Sequence, residues 1–288
     1  MDNFLTRFDV YDPNTNTYSH GRSAGLFAML NWILRQITLL EMTGKKIDNI
    51  ELYLDEYMHR KNSFNDLFVM NNQDLDLYEL PEETKNDFLN KTNWSYIGFS
   101  NNPNDIDLSI TNKVINKYFN PNEEVMKWYN YFVEYLGGDL NKIIFIWARA
   151  TDKYLEVKLP MVETYVRTLF NIDCDEKKIV VQTDDRNVLD RFEKIGLDFD
   201  TLPYISSNKV NNQPFHLNLR SWTDHQFQEV YGISKLDHLR QMIALSLICK
   251  NSYKTILYPG NPISFITSMK GTTEDLILFK NENEFFVK

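Results

Sequence analysis

Residues 143–153 read IIFIWARATDK. Five apolar side chains, Ile143 to Trp147, follow one another without alternation. A strand with one wet face alternates apolar and polar residues, whereas an unbroken apolar strand is buried on both faces, as in a parallel sheet covered by helices. The polar residues that follow, Arg149, Thr151, Asp152 and Lys153, then lie at the strand's carboxyl end. In an open parallel sheet that edge is where ligands bind. The stretch therefore predicts an α/β fold and a polar site at the end of this strand.

The pattern recurs downstream. KKIVVQT (177–183) predicts a strand and DDRNVLDRFEKIG (184–196) a helix closed by Gly196. A helix opened by Pro160 precedes them. DTLPYI is a candidate short strand, and SKLDHLRQMIALSLICKNS (234–252) a long helix started by Ser234. KTILYPG (254–260) predicts a strand, NPISFITSMKG a helix, and DLILFK a closing strand. Upstream, FLTRFDVY (4–11) predicts a strand, DPNTNTYSHGRSAG a polar loop and NIELYL (49–54) a second strand. Between them, Leu26, Met29, Leu30, Ile33 and Leu34 recur at helical spacing, which predicts a largely buried helix. ELPEETKNDFLNKT holds a short helix and WSYIGF a strand. PNEEVMKWYNYFVEYLGG (121–138) forms a helix opened by Pro121 and closed by Gly137 and Gly138. Those glycines set the expected division: an N-terminal α/β domain over 1–138 and a C-terminal Rossmann-like domain over 139–288.

The 288 residues, 43% of them hydrophobic and 14% aromatic, are enough for substantial cores. A net charge of −9 argues against a general nucleic-acid binder while leaving room for a local cationic pocket. Cys174 and Cys249 do not form a disulfide scaffold, and Cys249 lies in an apolar run that suits a buried thiol. The opening residues show no signal-peptide pattern and no apolar run is long enough to span a membrane, so a cytoplasmic protein is expected.

Three polar segments follow core strands: RATDK after IIFIW, TDD (183–185) after IVVQ, and YPGNP (258–262) after TIL. If the sheet forms, they converge on one crevice. Arg149 and Lys153, near helix N-termini, suit an anion, and the arginine fork matches a diphosphate. Asp184 and Asp185 either cap the following helix or bond a sugar or base hydroxyl. The turn at Gly260 and Asn261 brings backbone close to a ligand, or is an ordinary turn. Arg149 and Asp152 are also readable as a structural ion pair. His20 and Arg22 lie in the loop before the first helix and are candidates for donor binding; His20 could hold acceptor or donor phosphate, or be a surface histidine with no role. The aromatic segment WYNYFVEY (128–135) reads more simply as an amphipathic core helix than as a sugar platform. Neither G-x-G-x-x-G nor G-x-x-x-x-G-K-[ST] occurs, and no His/Cys cluster suggests a metal.

The ordered segments IIFIWARATDK, KKIVVQTDDRNVLDRFEK and LDHLRQMIALSLICKNSYKTILYPGNPISF resemble the core α-1,6-fucosyltransferases and their relatives over roughly residues 140–270. GRSAGLFAMLNWILRQI is a weaker echo of the family's Gly-rich loop and helix. The resemblance implies a B-type glycosyltransferase: two Rossmann-like domains facing across a cleft, the acceptor mainly on the first and a GDP-sugar on the second. Such enzymes invert the anomeric centre without a metal. It places Arg149 on the family's diphosphate-binding arginine, Asp152 and Lys153 on its Asp-Lys pair, and Asp184 and Asp185 on its paired aspartates. Glu156 lies near the family's catalytic acid group. Trp147 stands where the family has a guanine-contacting histidine, Ala150 where it has a second arginine, and Leu245 near its helix aspartate. The implied function is transfer of a sugar, fucose among the candidates, from a nucleotide-diphosphate donor to a carbohydrate or other hydroxyl acceptor. A non-catalytic glycan- or nucleotide-binding relative is the alternative, and an assembly protein that keeps the fold is a third.

Overall fold

The structure is a computed structural model. It describes residues 9–21, 25–52, 64–71, 73–92, 107–148, 158, 160–203, 222–258, 260 and 262–287. The chain divides into two compact units, Met1–Glu124 with Ser264–Thr272, and Val125–Ile263 with Thr273–Lys288. The changeover at 124/125 falls near the start of a helix. Gly137 and Gly138, where the sequence suggests a boundary, lie inside the second unit.

In the first unit, β1 (Asp9–Asp12) and β2 (Thr17–His20) form an antiparallel hairpin, and β2 runs parallel to β3 (Asn49–Leu52). Between β2 and β3 runs α1 (Leu26–Met42), so β2–α1–β3 is a parallel crossover unit. All 17 residues of α1 are buried, as its apolar run predicts. The stretch expected to be a polar loop thus contains a strand. Thr17-Tyr-Ser-His20 alternates, burying Tyr18 and His20 while Thr17 and Ser19 stay half-buried. The cause is local: a turn signal at Pro13-Asn14 separates two short alternating runs, which is a hairpin pattern.

Two short strands, β4 (Phe68–Val69) and β5 (Asn120–Pro121), pair antiparallel. α2 (Glu82–Thr92) matches the expected short helix. α3 (Leu108–Tyr118) is an addition to the sequence reading; Asp107 caps it by accepting from the Ser109 and Ile110 amides. Its buried Ile110, Val114, Ile115 and Tyr118 recur at helical spacing. Phe64, Phe68 and Phe119 stack against one another beside Phe265 in the core of this unit.

The second unit begins inside α4 (Glu123–Tyr135), at Val125. Pro121 lies ahead of it in β5 rather than opening it. The structure corrects the core-helix reading of the aromatic segment. Within α4 only Val125 and Phe132 are buried, while Tyr131 is 46% and Tyr135 49% exposed. Aromatic residues at 128, 129, 131, 132 and 135 cover too much of the helix circumference to share one buried face.

The central sheet has strand order β10-β9-β8-β6-β7, formed by β6 (Ile143–Ala148), β7 (Lys178–Thr183), β8 (Lys254–Leu257), β9 (Leu276–Phe279) and β10 (Phe285–Val287). β7, β6, β8 and β9 are mutually parallel, as the apolar runs predict. β10 is antiparallel and absent from the sequence reading; it is short and follows an Asn/Glu-rich turn. Every residue of β6 is buried. Ile144, Ile146 and Ala148 face a core shared with α5 (Val162–Leu169) and α6 (Arg186–Ile195). By strand alternation Ile143, Phe145 and Trp147 point to the other face, and they are buried too. DTLPYI contributes one isolated bridge, Val180 to Asp200, within its described part. α7 (Asp224–Tyr231), α8 (Lys235–Asn251) and α9 (Pro262–Lys270) complete the described helices.

Candidate functional site

In the second unit the chain runs from β6 to β7 on one side and later to β8 on the other. The strand order therefore reverses between β6 and β8, and their carboxyl ends flank the crevice where ligands of such sheets bind. Register fixes what meets there. Ala148 pairs with Thr183 and Trp147 with Leu257, so the three strands end level with one another. The Tyr258 amide donates to the Trp147 carbonyl at 3.1 Å, extending that alignment one residue past β8. In sequence, Arg149, Asp184 and Tyr258 are the first residues after these three adjacent strand ends.

Burial pushes the Tyr165 hydroxyl well above its usual pKa, with Tyr258 and Asp184 adding to the effect. Tyr165, from α5, therefore lies within electrostatic reach of residues following both β7 and β8. The sequence reading singled out neither Tyr165 nor Tyr258 for the site. The signal for Tyr258 was its place at the head of YPGNP; Tyr165 has none in local sequence.

Asp185, rather than Asp184, is the N-cap of α6: its Oδ1 accepts from the Asn187 amide at 3.0 Å. The Asp185 amide in turn donates to Thr183 Oγ1 at 3.2 Å. Asp184 is half-buried at the strand end. Trp147 is 4% exposed, with its ring 6.0 Å from that of Tyr258 in an edge-to-face arrangement. Gly260 is buried and has φ 153°, a backbone conformation that side-chain-bearing residues rarely adopt. Arg149, Asp152, Lys153, Glu156, Asn261 and Arg22 lie outside the described residues.

His20 belongs to the first unit, and the loop expected around it is corrected. It ends β2, is 1% exposed, and its Nδ1 lies 2.9 Å from Asp9 Oδ1. The same carboxylate accepts from Tyr18 Oη at 2.7 Å and from Trp32 Nε1 at 3.0 Å. Burial, with the Asp9 charge next to it, pushes the Tyr18 hydroxyl far up. Sequence reasoning missed Asp9, Tyr18 and Trp32 because their meeting depends on hairpin register, which pairs Asp9 with His20, and on the crossover helix.

Among the described residues, no group of three His, Cys, Asp or Glu side chains is arranged to hold a metal, and no helix is long and apolar enough to cross a membrane. Cys174 and Cys249 are free, and Cys249 is buried.

A scan against family models found no match, and a search of curated proteins found none. Solved structures do match. A crystal structure of NodZ α-1,6-fucosyltransferase co-crystallised with GDP aligns with a TM-score of 0.56 at 13% identity, covering 92% of this chain and 94% of that one. One soaked with GDP-fucose gives the same TM-score and identity, covering 92% and 95%. Fucosyltransferase NodZ from Bradyrhizobium aligns with a TM-score of 0.56 at 12% identity over 92% and 95%. The chain has the fold of these fucosyltransferases. The likeness spans nearly the full length of both chains, so it covers both units and reaches well beyond the segments whose sequence resembles the family.

Proposed function

We propose that this chain is a glycosyltransferase that takes a sugar from a nucleotide-diphosphate donor and passes it to a carbohydrate or other hydroxyl acceptor. The observation that carries the reading is the level ending of β6, β7 and β8 in a fold shared with NodZ, each strand being followed in sequence by a polar segment. Arg149 and Lys153 would hold the diphosphate, since guanidinium and ammonium groups neutralise the charge that builds on a departing phosphate. Asp184 would bond a donor hydroxyl, with Asp185 fixing the start of α6 beside it. Gly260 and Asn261 would bring backbone amides close to the donor. Asp152 and Glu156 follow in the same segment as Arg149, and Glu156 is the candidate carboxylate for proton or charge handling during transfer. GDP is the favoured nucleotide because NodZ was co-crystallised with GDP and soaked with GDP-fucose. Transfer is expected to invert the anomeric centre without a metal, in a cytoplasmic protein.

One observation favours the non-catalytic alternative. Trp147 packs its ring into the core against Tyr258 where the family has a polar imidazole. An indole has a single donor and no acceptor, so a contact to the base through this position differs in kind.

A melting-temperature screen with GDP, UDP, CMP and their sugars separates the readings. Ligand at 100 times Kd stabilises the native state by about 2.7 kcal/mol. The enzyme reading expects GDP to raise the Tm and a GDP-sugar to be turned over slowly to GDP and free sugar. Binding without turnover supports the alternative, and no shift with any nucleotide removes the enzyme and nucleotide-binding readings, leaving a glycan binder or an assembly protein.

A further inference from the structure

We propose that a cleft built entirely within the first unit binds a neutral oligosaccharide. The cleft has a volume of about 580 Å³, inside the range of about 300–1,000 Å³ common to ligand pockets. Three stretches of chain line it: residues 44–48 between α1 and β3, a stretch after β4 that includes Gln73 and Tyr78, and Lys117 with Tyr118 at the end of α3. Residues 44–48 lead into β3, which runs parallel to β2, so the cleft lies at the amino ends of these two strands. Parallel sheets bind their usual ligands at the opposite, carboxyl ends. The cleft is therefore a different kind of place from the edge assigned to the donor.

Its walls are tied to one another. The Asn71 amide donates to the Lys117 carbonyl at 2.8 Å, the Tyr11 hydroxyl to the Lys46 carbonyl at 2.7 Å, and Asn16 Nδ2 to Asp48 Oδ2 at 2.8 Å. A site held in place before its ligand arrives avoids much of the cost of ordering. Within it lies Glu41, 6% exposed. Glu41 Oε1 accepts from Lys117 Nζ at 2.7 Å and from the Tyr118 hydroxyl. Glu41 Oε2 accepts from none of the described residues, yet it is not sealed away from the cleft. One oxygen is locked and the other is open, which makes this carboxylate a fixed acceptor for an incoming hydroxyl. Buried acceptors normally have a partner, and here the cleft is the route by which a donor reaches it.

The lining decides the class of ligand. Among the described residues it carries four carboxylates and three ammonium groups, so its charge is close to balanced and favours neither a strong anion nor a strong cation. No three of the described acidic, His or Cys side chains are arranged for a metal. Carboxylates only accept and ammonium groups only donate, while the exposed Gln73 amide does both. A ligand that meets such a mixture must donate and accept at each polar group, as a sugar hydroxyl does. Tyr78, 52% exposed, offers an aromatic ring to the apolar C–H face of a pyranose.

The test uses the full chain and ligand-observed NMR with neutral tetrasaccharides of glucose, mannose, galactose and N-acetylglucosamine, beside calorimetric titrations of GDP and inorganic phosphate. At least one tetrasaccharide should bind, and saturating GDP should leave that binding in place. Glu41→Gln and Tyr78→Ala should each weaken it by at least about tenfold while GDP affinity stays within about twofold. If Glu41→Gln fails to fold by circular dichroism, Tyr78→Ala, at an exposed position, carries the test. Binding of none of the four sugars overturns the proposal. So does sugar binding that GDP displaces, that both folded variants retain, or that phosphate outcompetes. GDP titration into the wild type judges the glycosyltransferase reading by itself, so the two stand or fall separately.

Discussion

His238, on α8, is 5% exposed, its ring 6.2 Å from that of Phe227. Burial drives its pKa from 6.5 down to about 3. The folded state thus holds a neutral imidazole where the unfolded chain is protonated below pH 6.5. The unfolded state binds more protons throughout that window, so this histidine's contribution is intact above pH 6.5 and is lost as pH falls towards 3. Its share of the slope reaches about 1.4 kcal/mol per pH unit. Urea unfolding between about pH 4 and 8 should show that slope in the wild type and a shallower one in His238→Gln. Superimposable pH dependences would show that His238 is protonated in the fold. At the same scale, the sequence made His20 visible as a candidate but not its surroundings. Asp9 lies 11 positions before it and Trp32 lies 12 after it, and only the hairpin and the crossover helix bring them together.

At the scale of elements, α1 and α3 are tied by a nearly dry cluster. Lys117 Nζ lies 2.7 Å from Glu41 Oε1, and Tyr118 donates to the same oxygen. Removing one partner of such a pair leaves a buried charge uncompensated, so Lys117→Ala should cost about 3 kcal/mol in chemical denaturation. A cost near zero would mean that water reaches Glu41 freely. Asp185 offers a separate test at the start of α6. Asp185→Ala should cost about 1 kcal/mol and Asp185→Ser little, because serine also caps. Equal losses in both would mean that the capping bond is not what the aspartate contributes. The elements legible in the sequence are those whose own pattern decides them: β6 by its unbroken apolar run, α1 by its period, α8 by its serine cap. β2 is hidden by polar composition, since only Tyr18 marks its buried face as apolar. α3, rich in Asn and Lys, disguises a valid helical stripe. β10 is specified by its partner β9 rather than by its own three residues.

At the scale of the whole molecule, the sheet of the second unit is readable because a parallel sheet must bury both faces, and that demand leaves its mark on composition. The level ending of three strands is set by their register, which composition does not decide. The first unit is less legible because its described three-stranded sheet has one parallel pair and one hairpin, so alternation rather than apolar runs defines it. The central proposal is that the edge formed by β6, β7 and β8 binds a nucleotide diphosphate through the segment that begins at Arg149. Isothermal titration of GDP into the wild type and into Arg149→Ala tests this most directly. Losing a bidentate, charge-assisted contact of about 3 kcal/mol should weaken binding by roughly 10²-fold. The wild type should therefore bind GDP and the folded variant should bind it at least that much more weakly. Equal affinity in the two proteins, with unchanged melting temperatures, would contradict a diphosphate site at this edge.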